Sequence, residues 1–271
     1  MTDPSALAEH PIAAARHPRP RHVSPADSLS WLRAGWRTFK HDPGVWIAIS
    51  LIFFVLLVAL LTIPLLGMMI VVVGFPVLVA GMVLGCDAQA RGEPLRVDHL
   101  FAGLKVHAPH LALVGVFYLL GTFIAGFLPM LIAGALLTGF FMGDLSGYSG
   151  LAVVLGSAAF GTAIVATVMT LLITALWFAT PLVVLKDTPP LDAMKMSLSA
   201  CFGNLGAFTV LGLLIYVLSL LALLPLGLGM IVLVPVLAGT LYASYRDVFG
   251  PVEGTAPPPA PLPADGPASG S

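Results

Sequence analysis

Residues 45–66 have the sequence VWIAISLIFFVLLVALLTIPLL, and none of these side chains is charged. As an α-helix the segment is about 33 Å long, which is enough to cross the hydrocarbon core of a bilayer. The Asp-Pro-Gly sequence at residues 42–44 ends any preceding helix, and Pro64 with Gly67 predicts a tight turn at the far end. We therefore predict that residues 45–66 span a membrane as a helix.

The composition of the whole chain also predicts a membrane protein. Of the 271 residues, 58% are hydrophobic and only 9% are charged, and the mean hydropathy is +1.01. A soluble domain carries about 25% charged residues, so a chain this apolar needs lipid as its solvent. The first 27 residues contain no apolar core of a signal peptide, so the first span is expected to act as the targeting signal.

Five more apolar segments follow the first. The predicted fold is therefore all-α, a polytopic transmembrane helix bundle with six spans at about residues 45–66, 69–86, 110–133, 151–185, 205–224 and 226–245. Residues 110–141 and 151–185 are longer than one straight span needs, and Pro129 is expected to divide the first into a span and a shorter outer segment. An eight-span alternative folds each long stretch into a hairpin, although residues 151–185 lack a turn signal at their middle.

The positions of the basic residues provide a test of this topology. Six of the 12 Lys and Arg residues precede span one, three lie between spans two and three, two lie between spans four and five, and one follows span six. The predicted outer turns, at about residues 64–68, 142–150 and 225–227, contain none. Because basic residues mark the cytoplasmic side, we expect the spans in a bacterial inner membrane with both termini in the cytoplasm. The eight-span alternative keeps the same charge distribution.

Three short amphipathic helices are predicted, one ahead of each pair of spans. In residues 28–40, apolar side chains occupy one face, and Arg33, Arg37 and Lys40 occupy another. A helix of this kind lies along the headgroup region with its cations near lipid phosphates. These three basic residues are therefore candidate contacts to anionic lipid.

One structured domain is predicted between two tails. Residues 1–27 are rich in Pro, Ala, His and Arg without helical periodicity, and residues 250–271 are rich in Pro and Ala. Both compositions are typical of disordered chain, and both tails are expected in the cytoplasm. Residues 28–249 form the predicted transmembrane domain.

Matching segments predict an internal repeat. The sequence PVLVAG at residues 76–81 matches PVLAG at residues 235–239, and AGWR at residues 34–37 matches AGLK at residues 102–105. These matches predict three units, each a short amphipathic helix followed by two spans, with a proline in the second span. The middle unit matches less well, and chance similarity between apolar helices containing Pro and Gly is the alternative.

Several short stretches carry a family resemblance. They are Gly35-Trp36 with Phe39 and Pro43, Phe101-Ala102-Gly103, Phe178 with Pro181, Pro189-Pro190-Leu191, and Ser199-Ala200-Cys201 with Asn204. Together they resemble an uncharacterised family of proteobacterial six-span integral membrane proteins. More distantly, the chain is similar to the membrane domain of some glycerophosphodiester phosphodiesterases. The resemblance covers roughly residues 28–249 and implies fold and topology, but it implies no active site because the family has no established activity.

No motif in the chain predicts catalysis, and we expect no catalytic residue, cofactor or metal. The nucleophile-elbow, zinc-protease and phosphate-loop motifs do not occur in the sequence. His99, His107 and His110 lie close together, but they lack the i, i+4 spacing that places two imidazoles on one helical face for a metal. Cys86 and Cys201 are expected to be small buried residues in a reducing compartment.

Within the predicted spans, the only ionisable side chain among Asp, Glu, Lys, Arg and His is His110, at the entrance of the third. Ion-coupled transporters usually keep such residues at mid-depth despite the unfavourable burial. Thr167, Thr170 and Thr174 share one helical face. They either line a path or bond to the preceding turn, as hydroxyls in membrane helices commonly do.

Small residues four positions apart are candidate sites of close helix packing, because they allow two backbones to approach. They include Gly81 with Gly85 and Ser157 with Gly161. The contacts they predict are either internal or between subunits.

These features predict a non-enzymatic inner-membrane protein that organises, assembles or regulates other membrane components. The three basic interfacial helices favour membrane lipids as partners, with other membrane proteins or further copies of the chain beside them, and nucleic acid is not expected. The alternative is a component that transports or translocates an uncharged or amphipathic molecule, which the threonine face and the proline-containing helices favour. A mid-membrane cavity lined by Thr and Gly would support the alternative, whereas a filled bundle would support assembly.

Overall fold

The computed structural model describes residues 20–142 and 148–250. Every regular element within these ranges is helical. The helices are α1 (Asp27–His41), α2 (Pro43–Leu61), α3 (Leu66–Ala90), α4 (Ala102–Val106), α5 (Ala108–Met142), α6 (Tyr148–Lys186), α7 (Pro190–Gly203), α8 (Leu205–Leu223) and α9 (Met230–Phe249). A 3₁₀ turn, Val97–Phe101, leads directly into α4.

Six of these helices are long and apolar enough to cross a membrane. The candidate spans are Pro43–Leu61, Leu66–Ala90, Ala108–Leu131, Leu155–Lys186, Leu205–Leu223 and Met230–Phe249. The structure therefore confirms the predicted all-α class with six spans. The short helices α1, α4 and α7 occupy the predicted positions in the sequence, and their location at a membrane surface stays a prediction.

Each of the two long apolar stretches forms a single helix. α5 extends over 35 residues with Pro129 inside it, and α6 extends over 39 residues with Pro181 inside it. The predicted division at Pro129 is therefore wrong, and so is the eight-span alternative. A proline removes one backbone hydrogen bond, but neighbouring helices and local adjustment keep a membrane helix continuous. At about 52 and 58 Å, both helices exceed a hydrocarbon core of about 30 Å, so they tilt or extend beyond it.

The nine helices within the described ranges pack in a ring, and the predicted repeat groups them into three units. The units are α1–α2–α3, α4–α5–α6 and α7–α8–α9, and the last helix of each contains a proline, Pro76, Pro181 or Pro235. α3 packs on α4, α6 packs on α7, and α9 returns to pack on α1. α3, α6 and α9 also contact one another, so these three helices surround the centre of the bundle.

Two glycines in matching segments make the same close contact. A Cβ atom added to Gly35 of α1 would lie 2.2 Å from the carbonyl oxygen of Val236, the residue after the proline of α9. A Cβ atom added to Gly103 of α4 would lie 2.3 Å from the carbonyl oxygen of Val77, the residue after the proline of α3. Neither position leaves room for a larger residue. This parallel supports the internal repeat, which itself stays a prediction.

The bundle is tightly packed at one end and open at the other. Large, fully buried side chains, among them Trp46, Phe178 and Tyr245, lie toward the end that carries α1, α4 and α7. At the opposite end, Leu65 is 75% exposed and Leu226 is 97% exposed. Lipid tails cover apolar surface of this kind in a bilayer, so the packed end holds the specific contacts between helices.

The chain that precedes α1 is ordered by hydrogen bonds. The backbone N–H of Arg21 donates to the carbonyl of Val248 at 2.8 Å, and the N–H of Val23 donates to Asn204 Oδ1 at 2.8 Å. Residues 20–26 therefore differ from the predicted disordered tail, whose remainder lies outside the described residues, as does the predicted tail after Gly250. The same contacts place both ends of the described chain at the packed end of the bundle.

Candidate functional site

A cavity of about 470 Å³ lies among α2, α3, α5, α6 and α9, at the centre of the ring. Its walls include Phe53, Phe75, Val79, Tyr118, Trp177 and Leu237. The volume falls within the range of about 300–1,000 Å³ that is usual for small-molecule sites. The bundle is therefore not filled, but bulky apolar side chains line its cavity, in contrast to the Thr and Gly lining expected of a transport path.

Aromatic side chains from four helices, α2, α3, α5 and α6, line this cavity. Phe53 of α2 and Phe75 of α3 meet edge to face, with ring centroids 6.2 Å apart. Trp177 of α6 donates a hydrogen bond through Nε1 to Ser244 Oγ of α9 at 3.3 Å, which fixes its ring against that helix. On the α9 wall, Ala238 presents only a methyl group, so the space between the walls stays open.

The cavity offers few polar groups to a ligand. Tyr118, Trp177 and Thr180 are the polar side chains among its lining residues. Pro76 also lines it, and because proline has no N–H, the carbonyl of Val72 four residues earlier loses its usual helical partner. A ligand therefore finds mainly apolar contact, together with one or two hydrogen-bonding groups.

A second opening, a groove of about 480 Å³, lies between α6 and α8. Thr170 and Thr174 line it together with Trp177 and, on α8, Tyr216 and Ser219. Trp177 thus borders both the groove and the central cavity. The groove faces the side on which α8 stands apart from α6, and it brings hydroxyl groups to an otherwise apolar surface.

The threonine face bonds to its own helix. Thr167 Oγ1 donates to the carbonyl of Ala163 at 2.8 Å, and Thr174 Oγ1 donates to the carbonyl of Thr170 at 2.9 Å. Thr170 makes the equivalent bond one turn earlier. Of the two interpretations of this face, the structure favours hydroxyls bonded to the preceding turn, two of which also border the groove.

The predicted lipid-contact residues form one basic surface on α1. Arg33, Arg37 and Lys40 are exposed, and they border an open groove of about 450 Å³ together with Ser30 and Trp36. Trp36 is 44% exposed. The opposite face of α1, which includes Trp31 and Phe39, is buried against the bundle, so the basic surface points outward.

A basic cleft of about 310 Å³ adjoins this surface, between α1, α3 and α9. Arg37 and His41 enter it from α1 and Arg246 enters it from α9. The Arg246 guanidinium lies over the Tyr242 ring, 5.8 Å from its centroid, which is the geometry of a cation–π contact. Sequence reasoning missed Arg246, because only the packing of α9 on α1 brings it beside Arg37.

A buried carboxylate, also missed, joins α3 to α9 below the cleft. Asp87 is only 1% exposed, accepts a hydrogen bond from the Tyr242 hydroxyl at 2.8 Å, and forms an ion pair with Arg91 one turn later. The sequence places Asp87 at the end of a span, where it resembles a loop residue. Val83, four positions earlier, lies on the buried face of α3. That helical spacing was the signal in the sequence that could have predicted the burial of Asp87.

A second polar chain ties α2 to α3 at the same level. Trp46 Nε1 donates to Gln89 Oε1 at 3.2 Å, and Gln89 Nε2 donates to Asp42 Oδ2 at 2.8 Å. Asp42 Oδ2 also lies 2.8 Å from His41 Nδ1. The hydrogen bonds from His41 and then from Gln89 hold the pKa of the Asp42 carboxyl below its ordinary value, so Asp42 carries a negative charge that His41 and Gln89 already engage.

The candidate helix-packing glycines lie close to other residues of this protein. A Cβ atom added to Gly81 would lie 2.2 Å from the carbonyl oxygen of Leu100, and one added to Gly85 would lie 3.0 Å from Leu95 Cδ1. On α6, Ser157 is buried, and a Cβ atom added to Gly161 would lie 3.5 Å from Pro129 Cβ of α5. Gly81 and Gly85 therefore lie close to residues of the same chain, and the role of the four residues in helix packing stays a prediction.

The histidines and cysteines show no shared site. The rings of His107 and His110 lie with centroids 5.9 Å apart, whereas His99 bonds to the backbone of Arg96. Cys86 and Cys201 are both buried. Within residues 20–142 and 148–250, no cluster of three or more His, Cys, Asp or Glu side chains has an arrangement suited to a metal ion.

Comparison with known proteins finds a distant relative of the same class. The chain is 27% identical over 264 residues to a protein of Burkholderia thailandensis described as a probable inner membrane protein, and the match covers 87% of this chain and 95% of the relative. No family model matches the chain. No solved structure matches it either. The relative and the six candidate spans agree on a multi-pass inner-membrane protein.

Proposed function

We propose that this chain is a non-enzymatic protein of the bacterial inner membrane that binds membrane lipid and thereby organises other membrane components. The observation that carries the proposal is the apolar cavity of about 470 Å³ at the centre of the ring. Its partners would be lipids, with other membrane proteins or further copies of the chain, and nucleic acid has no role. The resemblance to the membrane domain of glycerophosphodiester phosphodiesterases remains a hypothesis.

The chemistry of the cavity favours an acyl chain as its occupant. In a bilayer the surrounding solvent is itself apolar, so the hydrophobic effect does not draw a ligand from lipid into the protein. An empty cavity nevertheless deprives its lining atoms of dispersion contacts, and a flexible hydrocarbon chain restores them. The groove between α6 and α8, which shares Trp177 with the cavity, supplies a lateral approach from the bilayer.

The proposed orientation places both termini in the cytoplasm. The basic residues of the sequence all fall on one side of the predicted spans, and basic residues mark the cytoplasmic side. The packed end of the bundle carries the basic surface of α1 and the contact between Arg21 and Val248. The proposal therefore assigns the packed end to the cytoplasmic leaflet.

Filling the cavity tests the proposal. Val79→Phe together with Val234→Phe adds two aromatic rings to walls that face the open space. The matched control is Val58→Phe, because Val58 is 63% exposed on the outer surface of α2. Native mass spectrometry of the detergent-purified proteins would count the phospholipids that each retains.

We expect the wild type and the control to retain a lipid that the filled variant lacks, while all three unfold at similar temperatures. Equal retention by the filled variant would contradict lipid binding in the cavity. Retained lipid that is converted to a new species during incubation with the protein would contradict the non-enzymatic part of the proposal.

A second candidate function is translocation of an uncharged or amphipathic molecule. The hydroxyl oxygens of Thr170, Thr174, Tyr216 and Ser219 along the groove favour it, because they can accept hydrogen bonds from a polar headgroup although the Thr and Ser protons are engaged within their own helices. Liposomes with fluorescent phospholipid in both leaflets, quenched from outside by dithionite, would measure it. Complete quenching only in liposomes that contain the protein would support translocation.

A further inference from the structure

The basic cleft between α1, α3 and α9 carries positive charge that no acidic side chain neutralises. Within the described residues, neither Arg37 nor Arg246 forms an ion pair with a carboxylate. The nearby acids have other partners. Asp87 is held by Arg91 and Tyr242, Asp42 by His41 and Gln89, and Asp247 by the Nε1 of Trp31 at 2.8 Å.

The donors that remain in the cleft suit a ligand that only accepts hydrogen bonds. Gln89 and the Tyr242 hydroxyl are occupied by bonds within the bundle, and Thr38 Oγ1 donates to the carbonyl of Ala34 at 3.1 Å. The guanidinium groups of Arg37 and Arg246, which line the cleft, are left without a carboxylate partner among the described residues. Phosphate oxygens accept hydrogen bonds without donating, and arginine binds them bidentately.

The cleft also lies nearer the packed end of the bundle than the apolar cavity does. On α3, Met82 lines the apolar cavity and Cys86, one turn further toward the packed end, lines the cleft. Trp36, a residue type that favours the headgroup region, lies on the adjoining basic surface. If the packed end faces a leaflet, as the proposed function has it, the cleft lies on the headgroup side of the cavity.

We propose that the cleft is a specific site for the phosphate of an anionic phospholipid, clamped between Arg37 of α1 and Arg246 of α9. The site deepens the proposed function, since it rests on lipid binding and on the packed end facing a leaflet. Tyr242 holds the Arg246 guanidinium through the cation–π contact, so the arginine is oriented before the lipid arrives. An anionic headgroup offsets the surplus positive charge, whereas a zwitterionic one does so only in part.

Replacing the two arginines tests the site. The variant Arg37→Gln with Arg246→Gln removes both guanidinium groups, and Arg96→Gln is the matched control because Arg96 is an exposed arginine outside the cleft that is already paired with Asp98. Phosphatidylglycerol affinity would be measured by native mass spectrometry, with phosphatidylcholine and inorganic phosphate as parallel ligands. Thermal unfolding would verify that each variant is folded, and Arg246→Lys would separate charge from bidentate geometry.

We expect the double variant to lose about tenfold in phosphatidylglycerol affinity, the usual effect of removing charged hydrogen bonds. The control should change by less than about twofold, as expected when one exposed charge is lost. Equal losses in the control and the double variant would overturn the proposal in favour of diffuse surface attraction. Arginine-dependent binding of inorganic phosphate without binding of phosphatidylglycerol would overturn the assignment to lipid.

The cavity-filled variant separates this proposal from the proposed function. Loss of retained lipid on filling the cavity, combined with unchanged phosphatidylglycerol affinity in the arginine variant, would leave the proposed function standing and refute the cleft. Unchanged lipid retention on filling the cavity, combined with reduced phosphatidylglycerol affinity in the arginine variant, would leave the cleft proposal standing. The same result would refute the binding of an acyl chain in the cavity.

Discussion

At the scale of single residues, Asp87 provides a polar link between α3 and α9. It is almost completely buried, and its two carboxylate oxygens are engaged by Tyr242 and Arg91. Arg91 remains partly exposed, so water reaches one side of the pair. A buried carboxylate is tolerated when it is paired and hydrogen-bonded, and here both conditions hold.

Asp87→Asn should lower the free energy of unfolding by about 1–3 kcal/mol, because the Tyr242 hydroxyl and Arg91 lose a charged acceptor in a buried position. Tyr242→Phe should lower it by about 1 kcal/mol, since it removes only the donor. Unfolding in detergent mixed with increasing dodecyl sulfate would measure both. The control is Asp98→Asn, whose ion pair with Arg96 is exposed, and an Asp87 variant no less stable than this control would disprove the role.

At the scale of helices, the ring is regular except at one place. α2 packs between α3 and α9, and α5 packs between α3 and α6. In the same pattern α8 would pack between α9 and α6, but a groove lined by Thr170 and Tyr216 separates it from α6 along the span, although Phe178 and Phe208 still meet near the packed end. The departure from regularity is therefore local, and it coincides with the groove that the proposed function uses as a lateral approach.

Gly35→Ala and Gly103→Ala should destabilise the bundle to a similar extent, by about 1–3 kcal/mol, because each added methyl group meets a backbone carbonyl of the adjoining span. Gly74→Ala is the control, since a Cβ atom there meets nothing within 4 Å, and it should be neutral or slightly stabilising. The same unfolding assay applies. A large effect at only one of the two glycines would count against the repeat.

At the scale of the whole molecule, the basic residues of α1 and of the cleft lie at the same end as the tightest helix packing. The packed end holds α1 with its basic surface, the basic cleft and both ends of the described chain. The opposite end carries exposed apolar turns at Leu65 and Leu226. The basic surface, the basic cleft and the Asp87 link therefore lie at the same end of the bundle.

Reporter fusions would test the orientation of the whole molecule. We expect fusions after Leu66 and Gly143 to report the periplasm, and fusions after Gly92, Lys186 and Gly250 to report the cytoplasm. The reason is that basic residues flank the second group of positions and are absent from the turns of the first group. Alkaline phosphatase and a fluorescent protein serve as complementary reporters. A periplasmic signal after Gly250 would contradict the proposed orientation.

We expect no proton- or sodium-driven uptake by this chain alone. A coupling ion usually binds ionisable side chains at mid-depth, and the cavity lining offers instead Tyr118, Thr180 and the carbonyl of Val72. The purified protein would be reconstituted into liposomes with an imposed pH or sodium gradient and a panel of solutes. Uptake that disappears when the gradient is collapsed would refute this expectation and favour the transport alternative.

Much of the fold could be predicted because each apolar segment is stable in lipid as a separate helix. A run such as residues 45–66 is long and apolar enough to span on its own, so the six spans follow from local composition. The behaviour of Pro129 could not be predicted in this way. Whether a proline breaks a membrane helix depends on the neighbours that compensate for the lost hydrogen bond, and those neighbours are not adjacent in sequence.

The sequence by itself determined the membrane as solvent, the number of spans and the one-sided basic charge, since each is a property of contiguous residues. Only the tertiary structure decided the cavity, the cleft and the Asp87 link. Asp87 and Tyr242 are 155 positions apart, and Arg37 and Arg246 line the same cleft only because α9 packs on α1. Contacts between such distant residues depend on how the helices pack. Hydrophobic patterning does not predict that packing, because lipid solvates every apolar face of a span equally well.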